Sequence, residues 1–206
     1  FKEGIAELSD ATGDTEEATI EKLRANYDGY HFVDNSIGIY NPFSLLNTLA
    51  RLKFDDYWFE TGTPTFLVEL MKLHHYELRN LTKEQIPADV INSIDSMSTN
   101  PIPVIYQSGY LTIKGYNERF KKYKLGFPNQ EVEQGFLNFL LPRYSSAGDK
   151  SSYFIEEFVK DVEAGNPERF MQRLSTMLDD TDYKVVGNTE LYFQNVMYLI
   201  FKIMGF

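Results

Sequence analysis

The residue patterns that usually carry out hydrolysis or phosphate transfer are missing from this sequence. A phosphate-binding loop needs a glycine-rich turn that ends in Gly-Lys-Ser or Gly-Lys-Thr, and none of the 13 glycines is followed by lysine. Neither the G-x-S-x-G pattern of serine hydrolases nor the H-E-x-x-H pattern of zinc hydrolases occurs. The absence of cysteine excludes cysteine nucleophiles and thiolate metal sites. We therefore predict no catalytic residues and no metal site in this chain.

Three histidines and one acidic triplet are the remaining candidates for chemistry. His74 and His75 are adjacent and would point about 100° apart on a helix, so structural roles are favoured over a shared metal ion. His31 follows Tyr30 directly and is interpreted as a packed or hydrogen-bonded ring. Asp182-Tyr183-Lys184 is the only D/E-x-K triplet, half of the motif by which metal-dependent nucleases place a carboxylate and a lysine around phosphate. The residues before it have the pattern of a helix end, which disfavours a nuclease site there.

A cluster of basic residues is the strongest candidate for binding. Its members are Lys114, Arg119, Lys121, Lys122 and Lys124. Such a cluster could grip phosphates, which makes a stand-alone winged-helix nucleic-acid-binding module the alternative function. A solvated turn is favoured instead, because Pro101 to Ser108 holds no Arg or Lys to enter a groove and the net charge of −10 repels nucleic acid. The sequence alone therefore predicts no nucleic-acid binding.

The run Tyr27, Asp28, Gly29 and Tyr30 is the most distinctive short motif in the chain. A glycine between aromatic residues usually permits a backbone turn, and the Asp28 carboxylate can accept a hydrogen bond from a nearby N–H. We interpret this run as a structural turn that locks a helix onto a hairpin. Contact of Asp28 or His31 with a ligand is the alternative interpretation.

The elements that must position these residues centre on the stretch from Asn100 to Leu141. A helix is predicted over Pro101 to Ser108, followed by strands over Tyr110–Lys114 and Tyr123–Phe127, in which apolar residues alternate. A second helix follows Asn129, which suits a cap position. Helix, hairpin and helix are typical of a winged helix. We predict one core for four apolar positions: Leu111, Ile113, Leu125 and Phe136.

Helical spacing of apolar residues dominates the rest of the chain. It predicts helices over 16–27, after Asn41-Pro42, after Thr63-Pro64, over 154–178 as an antiparallel pair, and after Asn188 or Thr189. Two short strands are predicted within 33–40, and short helices near 82–85 and 88–94. The positions expected on buried helix faces include Leu46, Phe66, Val162 and Met171. The predicted fold class is therefore α+β and mainly α-helical.

Composition and the chain ends bound the class of protein. With 43% hydrophobic and 15% aromatic residues, a chain of 206 residues is expected to be globular. It has no signal-peptide pattern, and its longest apolar run, Leu191 to Phe206, is shorter than the roughly 20 residues that a bilayer span needs. Together with the lack of cysteine, this favours a cytoplasmic protein with no membrane partner. Both ends have the pattern of a cut chain.

Five blocks of the sequence, in this order, resemble a known family. They are YDGYHF from Tyr27, YNPFSLLN from Tyr40, YWFETGTPTFL from Tyr57, YQSGYLTIKGY from Tyr106 and YKLGFPNQEV from Tyr123. From about residue 20 to its end, the chain resembles the AAA-ATPase-like proteins that carry a C-terminal PD-(D/E)XK nuclease-type domain.

This resemblance implies that the chain is the middle of a longer protein. Residues 1–62 would be a helical and hairpin, lid-like segment after an absent ATPase core, and 63–147 a winged-helix domain. Residues 148–206 would be a helical connector and the first helix of a truncated nuclease-like domain, in which Glu190 matches an acidic residue. The implied partners are the ATPase core and nuclease-like domain of the same polypeptide. ATP and Mg²⁺ are implied for the parent protein only, and the fragment itself would be a non-catalytic lid, winged helix and connector.

Overall fold

The structure, a computed structural model, describes residues 1–61, 65–83, 85–91, 100–145, 148–178 and 189–206. Its α-helices are α1 (Lys2–Thr12), α2 (Glu16–Tyr27), α3 (Pro42–Arg51), α4 (Thr65–Leu73), α5 (Ile102–Gln107), α6 (Gln130–Tyr144), α7 (Ser151–Glu163), α8 (Pro167–Leu178) and α9 (Thr189–Ile203). The strands are β1 (Gln85–Pro87), β2 (Thr112–Asn117) and β3 (Lys122–Gly126). Short 3₁₀ helices span Tyr57–Thr61, Leu78–Asn80 and Gly148–Lys150. The predicted α+β, mainly helical class is confirmed.

The chain divides into two compact units. The first contains Phe1–Leu67 and Asn80–Gly135, and the second contains Val68–Arg79 and Phe136–Phe206. None of the helices in the described residues is both long and apolar enough to cross a membrane.

The helical part of the first unit is built from α1, α2 and α3. Leu8, Leu23 and Tyr27 form its buried core, against which partly buried apolar side chains of α3 pack. Thr15 caps α2 by accepting a hydrogen bond from the Ala18 N–H at 3.2 Å. Asn41 caps α3 in the same way, which confirms the predicted start of that helix.

An antiparallel sheet in the order β1-β3-β2 forms the rest of the first unit with α5 and the start of α6. A bulge at Lys114 interrupts the register between Ile113 and Gly115. Because residues directly opposite one another share a face, Ile86, Tyr116 and Tyr123 lie on one side of the sheet. The other side, here called the outer face, carries Gln85, Gly115, Asn117, Lys122 and Lys124.

The predicted helix, hairpin and helix are present, with shifted strand ends. The four positions predicted for one core are each buried, namely Leu111, Ile113, Leu125 and Phe136. Strand β2 begins two residues later than predicted and continues to Asn117, because the bulge lets pairing with β3 resume beyond Lys114. Asn129 caps α6 as expected, accepting a hydrogen bond from the Val132 N–H at 3.1 Å.

Some of the positions predicted on buried helix faces are exposed. Leu46 is 55% exposed, and α3 instead buries the small polar residues Ser44 and Thr48 completely. Those hydroxyls are satisfied by hydrogen bonds, so burying them carries little cost and lets the helix turn Leu46 outward. The predictions of burial were also wrong for three further apolar residues, which are exposed: Phe66, Val162 and Met171.

Two short segments also differ from their predicted structure. In 33–40 there are no paired strands, and a single bridge joins Tyr30 to Ile39. Residues 82–83 and 88–91 form turns around the short strand β1 rather than helices. Thr63-Pro64, residues 92–94, Asp182-Tyr183-Lys184 and Asn188 lie outside the described residues.

The second unit is organised by α7, α8 and α9. Phe158 and Phe170 pack with ring centroids 4.7 Å apart, and Phe201 stacks on Phe170 at 6.0 Å. The predicted pairing of α7 with α8 is reinforced by buried Asp161, which Arg173 contacts at 2.8 Å. Hydrogen bonding to Arg173 lowers the pKa of the Asp161 carboxyl.

Buried Asn195 of α9 is a second polar anchor in this unit. Its Oδ1 accepts a hydrogen bond from the Leu78 N–H at 2.8 Å, and its Nδ2 donates one to the Tyr76 carbonyl at 2.9 Å. One side chain thereby satisfies two backbone groups of the segment that follows α4.

Candidate functional site

The Tyr27–Tyr30 motif forms a tight turn at the end of α2. The Asp28 Oδ1 accepts a hydrogen bond from the Gly29 N–H at 2.7 Å. Gly29 has a φ of +106°, and a Cβ at this position would collide with the Pro128 carbonyl oxygen. Glycine is therefore required both by the backbone conformation and by the close approach of the loop that precedes α6.

The tyrosines of the motif are engaged inside the first unit. The Tyr27 hydroxyl donates to the Asp55 carbonyl at 3.0 Å, and the Tyr30 hydroxyl donates to the Gly109 carbonyl at 3.3 Å. Burial raises the pKa of the Tyr30 hydroxyl, so it stays protonated and acts as a donor. The motif thus ties α2 to the segment that enters the hairpin.

His31 extends the same attachment to β2. Its backbone N–H donates to the Thr112 Oγ1 at 2.7 Å, and the Thr112 hydroxyl donates back to the His31 backbone carbonyl at 2.8 Å. The His31 Nδ1 lies 2.9 Å from the Ser36 carbonyl oxygen. These contacts give His31 the structural role that the sequence favoured.

Metal-binding geometry is absent around the acidic and histidine candidates that the structure describes. Within the described residues, no three His, Asp or Glu side chains are grouped so that they could hold a metal ion. His74 and His75 lie in the turn that follows α4 and not on a helix as predicted, and His75 has a left-handed φ of +48°. Glu190 lies exposed in the first turn of α9, where its Oε1 accepts a hydrogen bond from the Gln194 Nε2 at 3.0 Å.

Glu131 is a buried junction that the sequence analysis did not identify. Its Oε1 accepts hydrogen bonds from the Ser44 hydroxyl at 2.8 Å and from the Trp58 N–H at 2.9 Å. One carboxylate of α6 therefore holds both α3 and the Tyr57–Thr61 helix. Desolvation raises the pKa of Glu131, although the Trp58 and Ser44 hydrogen bonds oppose that shift. An acid in the first turn of a helix is usually exposed, so the sequence carried no signal for this role.

The titration of Glu131 gives a testable dependence of stability on pH. Because the folded state holds this proton more tightly than the unfolded chain, Glu131 lowers the free energy of unfolding as pH rises above its ordinary pKa of 4.5. Glu131→Gln removes this titration. The variant's free energy of unfolding minus that of the wild type should therefore increase between pH 4 and pH 7 in urea titrations.

The matched control for that experiment is Glu17→Gln, an exposed acid in the first turn of α2. The difference in free energy of unfolding between Glu17→Gln and the wild type should change less with pH than the corresponding difference for Glu131→Gln. If the free energy of unfolding of Glu131→Gln minus that of the wild type stays constant or shrinks as pH rises, the role assigned to burial of Glu131 is contradicted.

An open aromatic groove of about 590 Å³ lies beside the Tyr27–Tyr30 turn. Its walls include Tyr30, Phe32, Tyr40, Trp58 and Tyr106. The volume is within the range of ligand pockets, about 300–1,000 Å³. The side chains of His31, Asn41, Gln107 and Thr112, which also line the groove, are each hydrogen-bonded within the chain. The groove can therefore accommodate an apolar group.

The five predicted basic residues do not form one cluster. The Lys114 Nζ donates to the Pro128 carbonyl at 3.2 Å, close to the Gly29 turn. Although much of this side chain is exposed, desolvation at the ammonium end lowers its pKa. Lys122 and Lys124 lie on the outer face, whereas Arg119 and Lys121 lie in the turn between β2 and β3. Lys114 therefore makes an internal contact, and the other four basic residues are the ones that we consider for binding a partner.

Comparison with known proteins identifies a similar chain. A protein of Azotobacter chroococcum mcd 1, named "Uncharacterized protein in vnfD 5'region", is 37% identical over 131 residues, which is 60% of this chain. The chain spans 24% of that relative's length. No family model and no solved structure matches the sequence.

Proposed function

We propose that this chain is a non-catalytic region that joins an ATPase core to a nuclease-like domain within one longer polypeptide. In this proposal residues 1–62, which contain α1 to α3, act as the lid-like segment, and residues 63–147, which contain α4, α5, the β2–β3 hairpin and α6, form the winged-helix domain. Residues 148–206, which contain α7 to α9, act as the connector and the first helix of the nuclease-like domain. Glu190 would then lie in the first helix of the nuclease-like domain.

The use of the Tyr27–His31 side chains supports a non-catalytic role. The residues most suited to chemistry in this motif are engaged in internal contacts: Tyr27 with Asp55, Asp28 with Gly29, and Tyr30 with Gly109. Hydroxyls and carboxylates engaged in this way hold secondary-structure elements together. These internal contacts are the observation that supports a non-catalytic role for the chain.

The length of the relative is consistent with a joining region. A segment that corresponds to about a quarter of a protein leaves ample chain for further domains. The ATPase and nuclease-like identities of those domains rest on the sequence blocks that begin at Tyr27, Tyr40, Tyr57, Tyr106 and Tyr123.

The complete reading frame around this segment tests the proposed architecture. We expect a Gly-Lys-Ser or Gly-Lys-Thr loop before Phe1, and a strand aspartate with a Glu-x-Lys motif after Phe206. A complete frame that lacks both motifs would contradict the proposal.

A further inference from the structure

Four basic side chains lie around the β2–β3 turn without an acidic partner among the residues that the structure describes. Within the part of the chain that the structure describes, Arg119, Lys121, Lys122 and Lys124 form no ion pair. Other exposed cations do pair, as Lys22 does with Asp14. In a chain with 30 acids and 20 bases, these four cations concentrate positive charge locally, although Glu118 lies among them.

The outer face supplies a shaped surface for these charges. A groove of about 390 Å³ is lined by Gln85, Gly115, Asn117, Lys122 and Lys124, together with Tyr116 and Glu118. The register places Lys124 between Gln85 and Gly115, and Lys122 between Pro87 and Asn117. Space above Gly115 is open, since a Cβ there would meet no atom within 4 Å. An extended chain could therefore approach the two lysines over the glycine.

The turn itself is held in a defined conformation. The Asn117 Oδ1 accepts a hydrogen bond from the Phe120 N–H at 3.2 Å, and the Lys121 carbonyl accepts one from the Ala88 N–H at 3.0 Å. Phe120 is 59% exposed, and the Arg119 guanidinium lies 5.3 Å from its ring centroid. The turn thus presents an exposed aromatic ring beside cations, next to the groove.

We propose that the outer face and the β2–β3 turn bind the phosphate backbone of nucleic acid. Lys122 and Lys124 would contact phosphates in the groove, the Gln85 amide can donate a further hydrogen bond, and Phe120 offers a surface for base stacking. Cations along a groove with a stacking ring are the combination that single-strand-binding proteins use. Helix α5 contains no Arg or Lys, so the contacts read the backbone and not the base sequence. This activity is additional to the joining role and does not depend on it.

Fluorescence anisotropy with a labelled 20-nucleotide single strand and the matching duplex tests this proposal at low salt. The slope of log affinity against log salt should be about −0.7 per phosphate contacted on the single strand and about −0.9 on the duplex. Lys122→Glu/Lys124→Glu should reduce affinity at least tenfold and make the slope shallower. Unlabelled inorganic phosphate, at the phosphate concentration of the oligonucleotide, should not displace the probe.

The control is Lys2→Glu/Lys150→Glu, which has the same net charge as Lys122→Glu/Lys124→Glu. Both lysines are exposed near the starts of α1 and α7, where an acid is compatible with the helix dipole. This variant should bind like the wild type. If the outer-face variant does not fold, Arg119→Gln at the exposed turn should still weaken binding. Three results would each overturn the proposal: no salt-dependent binding, equal loss in both double variants, or binding to anionic phospholipid vesicles but not to oligonucleotides.

Discussion

Gly29→Ala is expected to destabilise the protein by roughly 2 to 6 kcal/mol, combining backbone strain with a steric clash. Alanine is strained at the φ of +106° that Gly29 adopts, and its Cβ would collide with the Pro128 carbonyl oxygen. Backbone atoms cannot move aside as a flexible side chain can. The turn and the loop before α6 would have to separate, and the contacts of Tyr30 and His31 with the hairpin would weaken. Urea denaturation followed by far-UV circular dichroism measures the loss.

Gly115→Ala is the matched control for Gly29→Ala. Gly115 lies in β2 of the same unit, without a left-handed φ and with open space where the Cβ would be. We expect a change within about 1 kcal/mol, because alanine in a strand loses less backbone entropy on folding than glycine does. Equal effects of the two substitutions would contradict the role assigned to the Gly29 turn.

Asn195→Leu should destabilise the second unit by roughly 2 to 6 kcal/mol, because two buried backbone groups would each lose the partner that Asn195 provides, at a cost of about 1 to 3 kcal/mol per unsatisfied group. Leucine has a similar volume but can neither accept from the Leu78 N–H nor donate to the Tyr76 carbonyl. Thermal and urea denaturation should both detect the loss.

Gln194→Leu provides the control at the adjacent position. Gln194 is exposed and bonds only Glu190 among the contacts the structure gives it, so we expect a change within about 0.5 kcal/mol. A result in which Gln194→Leu costs as much as Asn195→Leu would show that α9 responds to any added leucine. The two backbone hydrogen bonds would then not be the cause.

Local sequence patterns predicted those elements whose apolar spacing or cap residue lies within the element's own stretch of sequence. Alternating apolar residues indicated the hairpin, and Asn41 and Asn129 correctly indicated helix starts. The bulge at Lys114 shifted β2 because strand pairing depends on the partner strand, which a single stretch of sequence does not reveal. Helices with clear caps and apolar spacing could therefore be predicted, whereas α1 was not predicted and residues 82–83 and 88–91, predicted as parts of helices, form turns.

Burial was harder to predict wherever a polar side chain was satisfied by a distant partner. The Ser44 hydroxyl meets Glu131, 87 positions further along the chain, and this pairing turns α3 so that Leu46 faces solvent. Asn195 is buried for a similar reason, through backbone groups more than 100 residues away. Hydrophobic spacing assumes that polar residues face water, so it fails at such positions.

The candidate binding residues show the same limit. Sequence proximity grouped Lys114 with Arg119, Lys121, Lys122 and Lys124, but the bulge places the Lys114 ammonium near Pro128. The remaining four could be recognised as a surface only once the strand register placed Lys122 and Lys124 on the outer face. The sequence argued against nucleic-acid binding because the net charge is −10. The proposal of such binding depends instead on the local surface formed by the outer face and the β2–β3 turn.

Catalytic assays of the purified 206-residue chain test the central claim of a non-catalytic joining region most directly. With Mg²⁺ present, we predict neither ATP hydrolysis nor cleavage of single-stranded or duplex DNA above the buffer background, because the sequence holds no Gly-Lys pair for a phosphate loop. Binding of oligonucleotides without cleavage would be consistent with both proposals. ATP turnover or DNA cleavage that co-purifies with the chain through successive columns, and that follows its concentration, would contradict the claim.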